Sequence, residues 1–302
     1  NEAVRSDPKA FAQECDEIFH QKVENAARKI AEHRTESHVI LLSGPSGSGK
    51  TTTALKIEEA LEHMGIETHT ISMDNYFNTI DPETAPRNRE GNIDYESPFC
   101  LDIELLNRHF SMLDRGETIH VPKYEFSRQM RSDILSQPLH LGPDEMAIFE
   151  GIHALNDIIV GKNPQAFKLY IAARSNVVDD DGSVVFQHPW LRLCRRIVRD
   201  YKFRGSDAAF TLKMWSNVRR GEKLYISPYK ENANLMFDSS LACEVAVLKP
   251  FVVPLLEAIP RGKYQEVDEI LKAYDRIEAM DESCIAPDSL VREFIGGSTY
   301  SY

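Results

Sequence analysis

Residues 44 to 51 read Gly44-Pro45-Ser46-Gly47-Ser48-Gly49-Lys50-Thr51 and match G-x-x-x-x-G-K-[ST] without a mismatch. In such a loop the glycines let the backbone curl until successive N–H groups point at phosphate oxygens. The lysine adds a mobile charge, and the Thr hydroxyl can ligate Mg²⁺. A nucleoside triphosphate is the expected ligand, gripped by Gly44, Ser46, Gly47, Ser48, Gly49, Lys50, Thr51 and Thr52. Two carboxylates downstream could turn grip into transfer. Asp74, in Ser72-Met73-Asp74-Asn75-Tyr76-Phe77, could accept a proton from an acceptor hydroxyl or help hold Mg²⁺. Glu150, in Ile148-Phe149-Glu150-Gly151, stands where a metal-binding carboxylate is expected beside such a loop.

Two further segments carry recognition chemistry. Pro122 to Arg131 combines aromatic rings, amides and guanidinium groups, a mixture suited to stacking on a base and bonding its edge. In the stretch from Leu191 to Arg204, Arg192, Arg195, Arg196 and Arg199 recur three to four residues apart and share one helical face. The functional reading is a lid that neutralises charge during phosphoryl transfer; the plain one is a solvated basic face paired with local carboxylates.

Positioning these groups requires a sheet. His38 to Leu42 reads as a buried strand entering the loop, and Thr52 to Met64 as a helix leaving it, ended by Gly65. Glu67 to Ser72, Met146 to Phe149, Phe167 to Ala172, Leu235 to Phe237 and Glu244 to Leu248 read as further strands. Leu101 to Leu113, Pro189 to Tyr201 and Asp207 to Arg220 read as helices, and Thr118 to Val121 as a short strand. Asp181-Gly182 reads as the tip of a hairpin, and Asn78 to Pro98 as a long loop of the kind that usually carries function. This alternation predicts an α/β fold, a P-loop NTPase-type three-layer sandwich around a mostly parallel sheet, with a helical lid and a small β-hairpin insertion. Ligands of open α/β sheets sit beyond the carboxyl ends of the strands, so Asp74, Glu150 and the phosphate loop should converge. Pro8 to Arg34 is amphipathic and expected to pack on its own domain, as is a C-terminal helix from Gln265 to Met280, which could also serve self-association. The expected organisation is an N-terminal helix over 1–36, a kinase domain over 37–250 and a helical extension over 251–302.

With 35 basic and 47 acidic residues, the net charge of −12 argues against direct binding to nucleic acid or an anionic membrane. Five scattered cysteines with no C-x-x-C pair argue for reduced thiols rather than disulfides or zinc. No apolar run approaches the roughly 18 residues that span a bilayer, and a cytoplasmic protein is expected. The chain starts at Asn1 without an initiator Met and is expected to be part of a longer one.

The four segments, in this order, resemble the uridine kinase and phosphoribulokinase group of P-loop kinases, most closely the uridine-cytidine kinases, over roughly residues 38 to 250. The shared pattern is the P-loop, S-x-D-x-[FY]-[FY], P-x-Y-[DE]-F with a downstream Arg, E-G-I, and R-R-x-x-R-D. The resemblance implies Asp74 as the base on a ribose 5′-hydroxyl, Thr51 and Glu150 as servants of Mg²⁺, and Tyr124 and Phe126 as walls of a nucleoside pocket. It further implies Asp94 on the ribose hydroxyls and Arg196, Arg199 and Arg204 as lid cations, with Arg131 as the downstream Arg on the substrate side. Two departures stand out. Gln129 occupies the place of a His that commonly reads the pyrimidine edge, and Ser206 stands where an Arg is usual. The stretch from Trp215 to Leu248 and the C-terminal end resemble a longer bacterial branch, often preceded by domains like the N-terminal part of threonyl-tRNA synthetase.

The expectation is therefore a Mg²⁺-dependent kinase that uses ATP or GTP to phosphorylate a pyrimidine nucleoside at its 5′-hydroxyl. Lys50, Arg196 and Arg199 would assist Asp74 in transfer. A sister kinase of a phosphosugar or pantothenate would need cations near Asp74, which Arg87 and Arg89 could supply. From another class, a nucleotide-gated regulatory or RNA-associated module would have no need of both Asp74 and Glu150.

Overall fold

Five short segments, all but one largely apolar, form one parallel sheet in the computed structural model, which describes residues 1–125, 128–134 and 138–301. They are β1 (Val39–Ser43), β2 (Thr68–Ser72), β3 (Met146–Glu150), β4 (Phe167–Ala172) and β5 (Leu235–Asp238). Their order is β5-β4-β1-β3-β2, with every neighbouring pair parallel. Because successive side chains of a strand point to opposite faces, β1 feeds two cores. Ile40 and Leu42 enter one cluster, Val39 and Leu41 the other.

Among the described residues seven longer helices cover the sheet: α1 (Pro8–His33), α2 (Lys50–His63), α3 (Ile103–Asp114), α4 (His188–Phe203), α5 (Ala208–Gly221), α6 (Glu244–Glu257) and α7 (Gln265–Tyr274). α1 begins where Asp7 accepts the Ala10 N–H and Pro8 occupies the first turn, a position that needs no N–H donor. Its apolar stripe is buried with Ile40 and Leu42, and Phe19 meets Phe237 of β5 edge-on at 5.4 Å. The expected hairpin pairs Val177–Val178 with Val184–Phe186 around Gly182.

Glu244 to Leu248, expected as a strand, is instead the first half of α6, which runs across residue 250. The apolar run and two downstream prolines hide the helix from sequence reading. Pro250 lacks the N–H that would bond the Ala246 carbonyl, and Met280 donates its N–H there instead, at 3.0 Å. Tertiary contact thus replaces the missing helical bond. Among the described residues no helix is long and apolar enough to cross a membrane.

Candidate active site

The phosphate loop leaves β1 at Ser43 and enters α2 at Lys50. Gly44 is required by close approach, since a Cβ there would lie 2.1 Å from the Ile171 carbonyl oxygen. Gly49 has φ of 77°, the left-handed conformation that glycine adopts without penalty, and caps α2. The loop's carbonyls are gripped from outside. Arg192 donates to Ser46 O at 3.1 and 3.0 Å, Arg195 to Gly47 O at 3.1 Å, and the Ser239 hydroxyl to Ser48 O at 2.6 Å.

The arginine face of α4 therefore divides. Arg192 is buried against Glu222 at 3.0 Å, and Arg195 is fully buried against Glu244 at 2.6 Å, so both are scaffolding for the loop. Arg196 reaches the Ser46 hydroxyl at 2.7 Å. Arg196, Arg199 and Arg204 collect around the buried Asp200 at 3.2, 2.9 and 3.7 Å. They form the three-cation group that the sequence assigned to a lid.

Register brings the reactive groups together. Leu42 of β1 is paired with Glu150 of β3, and Glu150 with Ser72 of β2, so three strands end on one line. Beyond Ser72 the chain makes a single 3₁₀ turn, Met73–Tyr76, with the Asp74 N–H donating to Ser72 Oγ at 3.3 Å. Tyr76 pins that turn by its hydroxyl on His109 at 2.9 Å. The charges at these positions feel one another. Burial lowers the Lys50 pKa against the opposing pull of Glu150, Asp74 and Glu293. Burial raises Asp74, opposed by Lys50 and Arg204. Glu150 is pushed up to about 7, by burial first and then by the charge of Asp74, with Lys50 and the Ser72 hydroxyl opposing.

A buried carboxylate that holds its charge so reluctantly is suited to receive a cation. Among the described residues no three acidic, His or Cys side chains form a metal cage. A cation at Glu150 would draw on the Thr51 hydroxyl and on phosphate oxygens, the sparse protein ligation that Mg²⁺ accepts.

Beyond the Asp74 turn lies a cleft of about 240 Å³ lined by Phe77, Ile80, Tyr95, Cys100, Tyr124 and Gln129. The Phe77 and Tyr124 rings lie 5.5 Å apart, and a small hairpin pairs Tyr124–Glu125 with Met130–Arg131. Gln129 has φ of 52°, the one positive value at a non-glycine among the described residues, and its carbonyl accepts the Ile80 N–H at 3.2 Å. Phe126 lies outside the described residues. Arg131, expected on the substrate, does not line this cleft. It ties the end of the Asp74 turn, bonding Asp102 at 3.0 Å and the carbonyls of Tyr76 and Phe77 at 3.2 and 3.3 Å.

Asp94 is buried and held by Arg220 at 2.6 Å and the Tyr225 hydroxyl at 2.9 Å. Burial pulls its pKa up, but these two partners outweigh it and leave the group below the usual carboxylate range. Asp94 faces an adjoining cleft with Tyr95 and Glu96. Arg87 is spent inside its own loop, on the carbonyls of Gly91 and Pro82 at 2.6 and 2.5 Å.

Five residues escaped sequence reading. Glu96 is pushed up to about 7 by burial, with Arg196 opposing and Asp94 adding to the rise. Asp200 gathers Arg196, Arg199 and Arg204, although the R-R-x-x-R-D pattern contained it. The pair Arg220 and Tyr225 is named by its contact with Asp94 alone. Glu293 reaches the loop from the far end of the chain, with no local signal that could have placed it there.

The family described as Phosphoribulokinase / Uridine kinase matches residues 39–246. The chain is 30% identical over 214 residues to a uridine kinase of Macrococcus caseolyticus, covering 70% of this chain and 93% of the relative. A uridine kinase of Staphylococcus aureus is 30% identical over 210 residues, covering 69% and 91%. Among solved structures, a candidate fructose transport system kinase from Silicibacter sp. TM1040 is similar in fold, with a TM-score of 0.50 and 19% identity over 71% of this chain and 98% of that one.

Proposed function

The chain belongs to the phosphoribulokinase and uridine kinase family and is a phosphotransferase with an alcohol acceptor; on that premise we propose that it phosphorylates a pyrimidine nucleoside at the 5′-hydroxyl, using ATP or GTP. One observation carries the reading. The shared register of Leu42, Glu150 and Ser72 brings Lys50, Asp74 and Glu150 into mutual electrostatic contact beside an aromatic and amide-lined cleft.

In this reading the loop N–H groups and Lys50 hold the β and γ phosphates, and Thr51 and Glu150 hold Mg²⁺, which when bound neutralises phosphate charge. Asp74 takes the hydroxyl proton. Arg199 and Arg204, whose charges already act on Lys50 and Asp74, balance charge on the transferring group. Tyr124 and Phe77 flank the base, Gln129 offers its edge both a donor and an acceptor, and Asp94 serves the ribose after exchanging partners with Arg220. The free thiols, four of five buried, suit a reducing cytoplasm. Of the two cations that a phosphosugar acceptor would draw on, Arg87 is engaged within its own loop and Arg89 is exposed.

ADP release measured across a panel of nucleosides, deoxynucleosides, phosphosugars and pantothenate tests the acceptor. Pyrimidine nucleosides should give the highest kcat/KM, and preference for a non-nucleoside would overturn the reading. Asp74→Asn should retain nucleotide affinity while losing about 10²- to 10⁴-fold in kcat, as a displaced general base does. Undiminished turnover would remove Asp74 as the base.

A further inference from the structure

Glu293 belongs to a single helical turn, Arg292–Ile295, more than 200 residues from the phosphate loop. Its Oε2 accepts the Thr52 hydroxyl at 2.6 Å and the Thr52 backbone N–H at 3.3 Å. That N–H belongs to the first turn of α2, where helical N–H groups lack partners in their own helix and favour an anion. It follows directly on Lys50 and Thr51, in the run of donors that a P-loop directs at phosphate. A carboxylate thus takes donors that suit a phosphate. Leu290 seals the same spot, its Cδ1 lying 2.7 Å from where a Cβ on Gly49 would stand, and the Phe294 ring lies 5.0 Å under the Arg195 guanidinium.

The surrounding segment is fastened to both helices that frame the loop. On the α2 side, Asp288 pairs with Lys56 at 2.8 Å and the Tyr300 hydroxyl donates to Glu59 at 2.7 Å. On the α4 side, Lys202 donates to the Ile295 carbonyl at 2.6 Å and Gly296 abuts Phe203. Ser289 adds a bond to Asp16 of α1 at 2.7 Å. With Glu293 in place, Lys50 faces three carboxylates, since Asp74 and Glu150 already act on it. A polyphosphate entering the loop would meet that negative charge and a competitor already bonded to its donors.

We propose that residues 288–300 form an autoinhibitory strap, in which Glu293 acts as a resident phosphate surrogate that a nucleoside triphosphate must displace. The inference rests on the reading of the loop as a triphosphate site. If the strap is open in about one molecule in ten, apparent nucleotide affinity is reduced about tenfold.

The test is calorimetric titration of the whole chain with Mg²⁺·ATP, comparing wild type with Glu293→Gln and Glu293→Ala, alongside hydrogen exchange of the wild type. Glu293→Gln keeps the shape and removes the charge, so it separates competition from misfolding, and thermal melts check both variants. Both substitutions should tighten binding, Glu293→Ala by about tenfold, and saturating nucleotide should deprotect the strap amides while protecting residues 47–53. Equal or weaker binding in both variants, or strap amides that keep their protection when nucleotide is bound, would overturn the strap alone. If neither wild type nor variants bind nucleotide, and Lys50→Ala is indistinguishable from them, the phosphate-loop reading falls as well.

Discussion

The half of the site proposed to grip phosphate and the half proposed to face the acceptor are held by different means. Lys50, Asp74 and Glu150 stand at or just beyond the ends of parallel strands whose register is fixed residue by residue. The loop is further held by two buried arginines, each locked to its own carboxylate. The acceptor cleft is built from a long loop and a two-residue-stranded hairpin, kept in place by side-chain ties from Arg131, Arg220 and Tyr225. Sheet register cannot slip by one residue without turning core residues to the wrong face, so the phosphate half is fixed with the fold itself. Side-chain ties can be exchanged singly. Such a division lets a scaffold keep one reaction while its acceptor changes.

The largest expected effect tests the rigid half. Arg195→Ala should destabilise the protein by about 3–5 kcal/mol, because Glu244 would be left buried without its partner and the Gly47 carbonyl without its donor. Denaturant unfolding measures this. A loss of less than about 1 kcal/mol would mean that the loop is not held through α4.

The contrast also decides what was legible in sequence. The loop, Asp74 and Glu150 are marked by local patterns, because the chemistry needs particular residue types at fixed distances from strand ends. Four of the five strands were readable from apolar runs; β2, with Ile71 as its one apolar residue, was the weaker candidate. Glu244 to Leu248 was misread, since what stabilises α6 past Pro250 is a bond from Met280, thirty residues downstream in sequence. The arginine face showed its periodicity but not its division of labour. Arg195 and Arg199 look alike in sequence, and only the position of Glu244 makes one scaffold and leaves the other beside Lys50. Arg131, which the resemblance places on the substrate side, is bonded to the carbonyls of Tyr76 and Phe77, contacts that no local pattern marks. Glu293 had no readable signal because a carboxylate's partner is set by tertiary approach.

Glu96 lies between the two halves, facing Arg196 of the phosphate side and Asp94 and Arg220 of the acceptor side. Its pKa is raised from an ordinary 4.5 to about 7, chiefly by burial. Below pH 4.5 the folded and unfolded states both carry the proton and the group is neutral to stability. As pH rises from about 4.5 to about 7, the unfolded chain releases a proton that the folded one retains, so stability falls through that window. Glu96→Gln should remove this slope and stabilise the protein above pH 7 by on the order of 1–3 kcal/mol. Thermal melts at pH 5 and pH 8 provide the measurement. An unchanged difference between the two pH values would mean that Glu96 is not a buried neutral acid at the junction.

Gln129 gives the smallest and most discriminating test, because its backbone and side chain are expected to pull in opposite directions. A left-handed conformation costs a non-glycine residue roughly 1–2 kcal/mol, a penalty that glycine escapes. The Ile80 N–H bonds the backbone carbonyl of Gln129, so that tie survives loss of the side chain. Gln129→Gly should therefore leave stability unchanged or raise it by up to about 1 kcal/mol, the greater freedom of glycine in the unfolded chain offsetting part of the gain. In the cleft, however, the amide disappears, and KM for the proposed nucleoside acceptor should rise by about tenfold, the effect of one lost hydrogen bond to a base edge, with nucleotide affinity unmoved. Loss of stability would show that the side chain holds the hairpin. An unchanged KM would move base reading elsewhere in the cleft, and either result would break the assignment of specificity to the loop-built half.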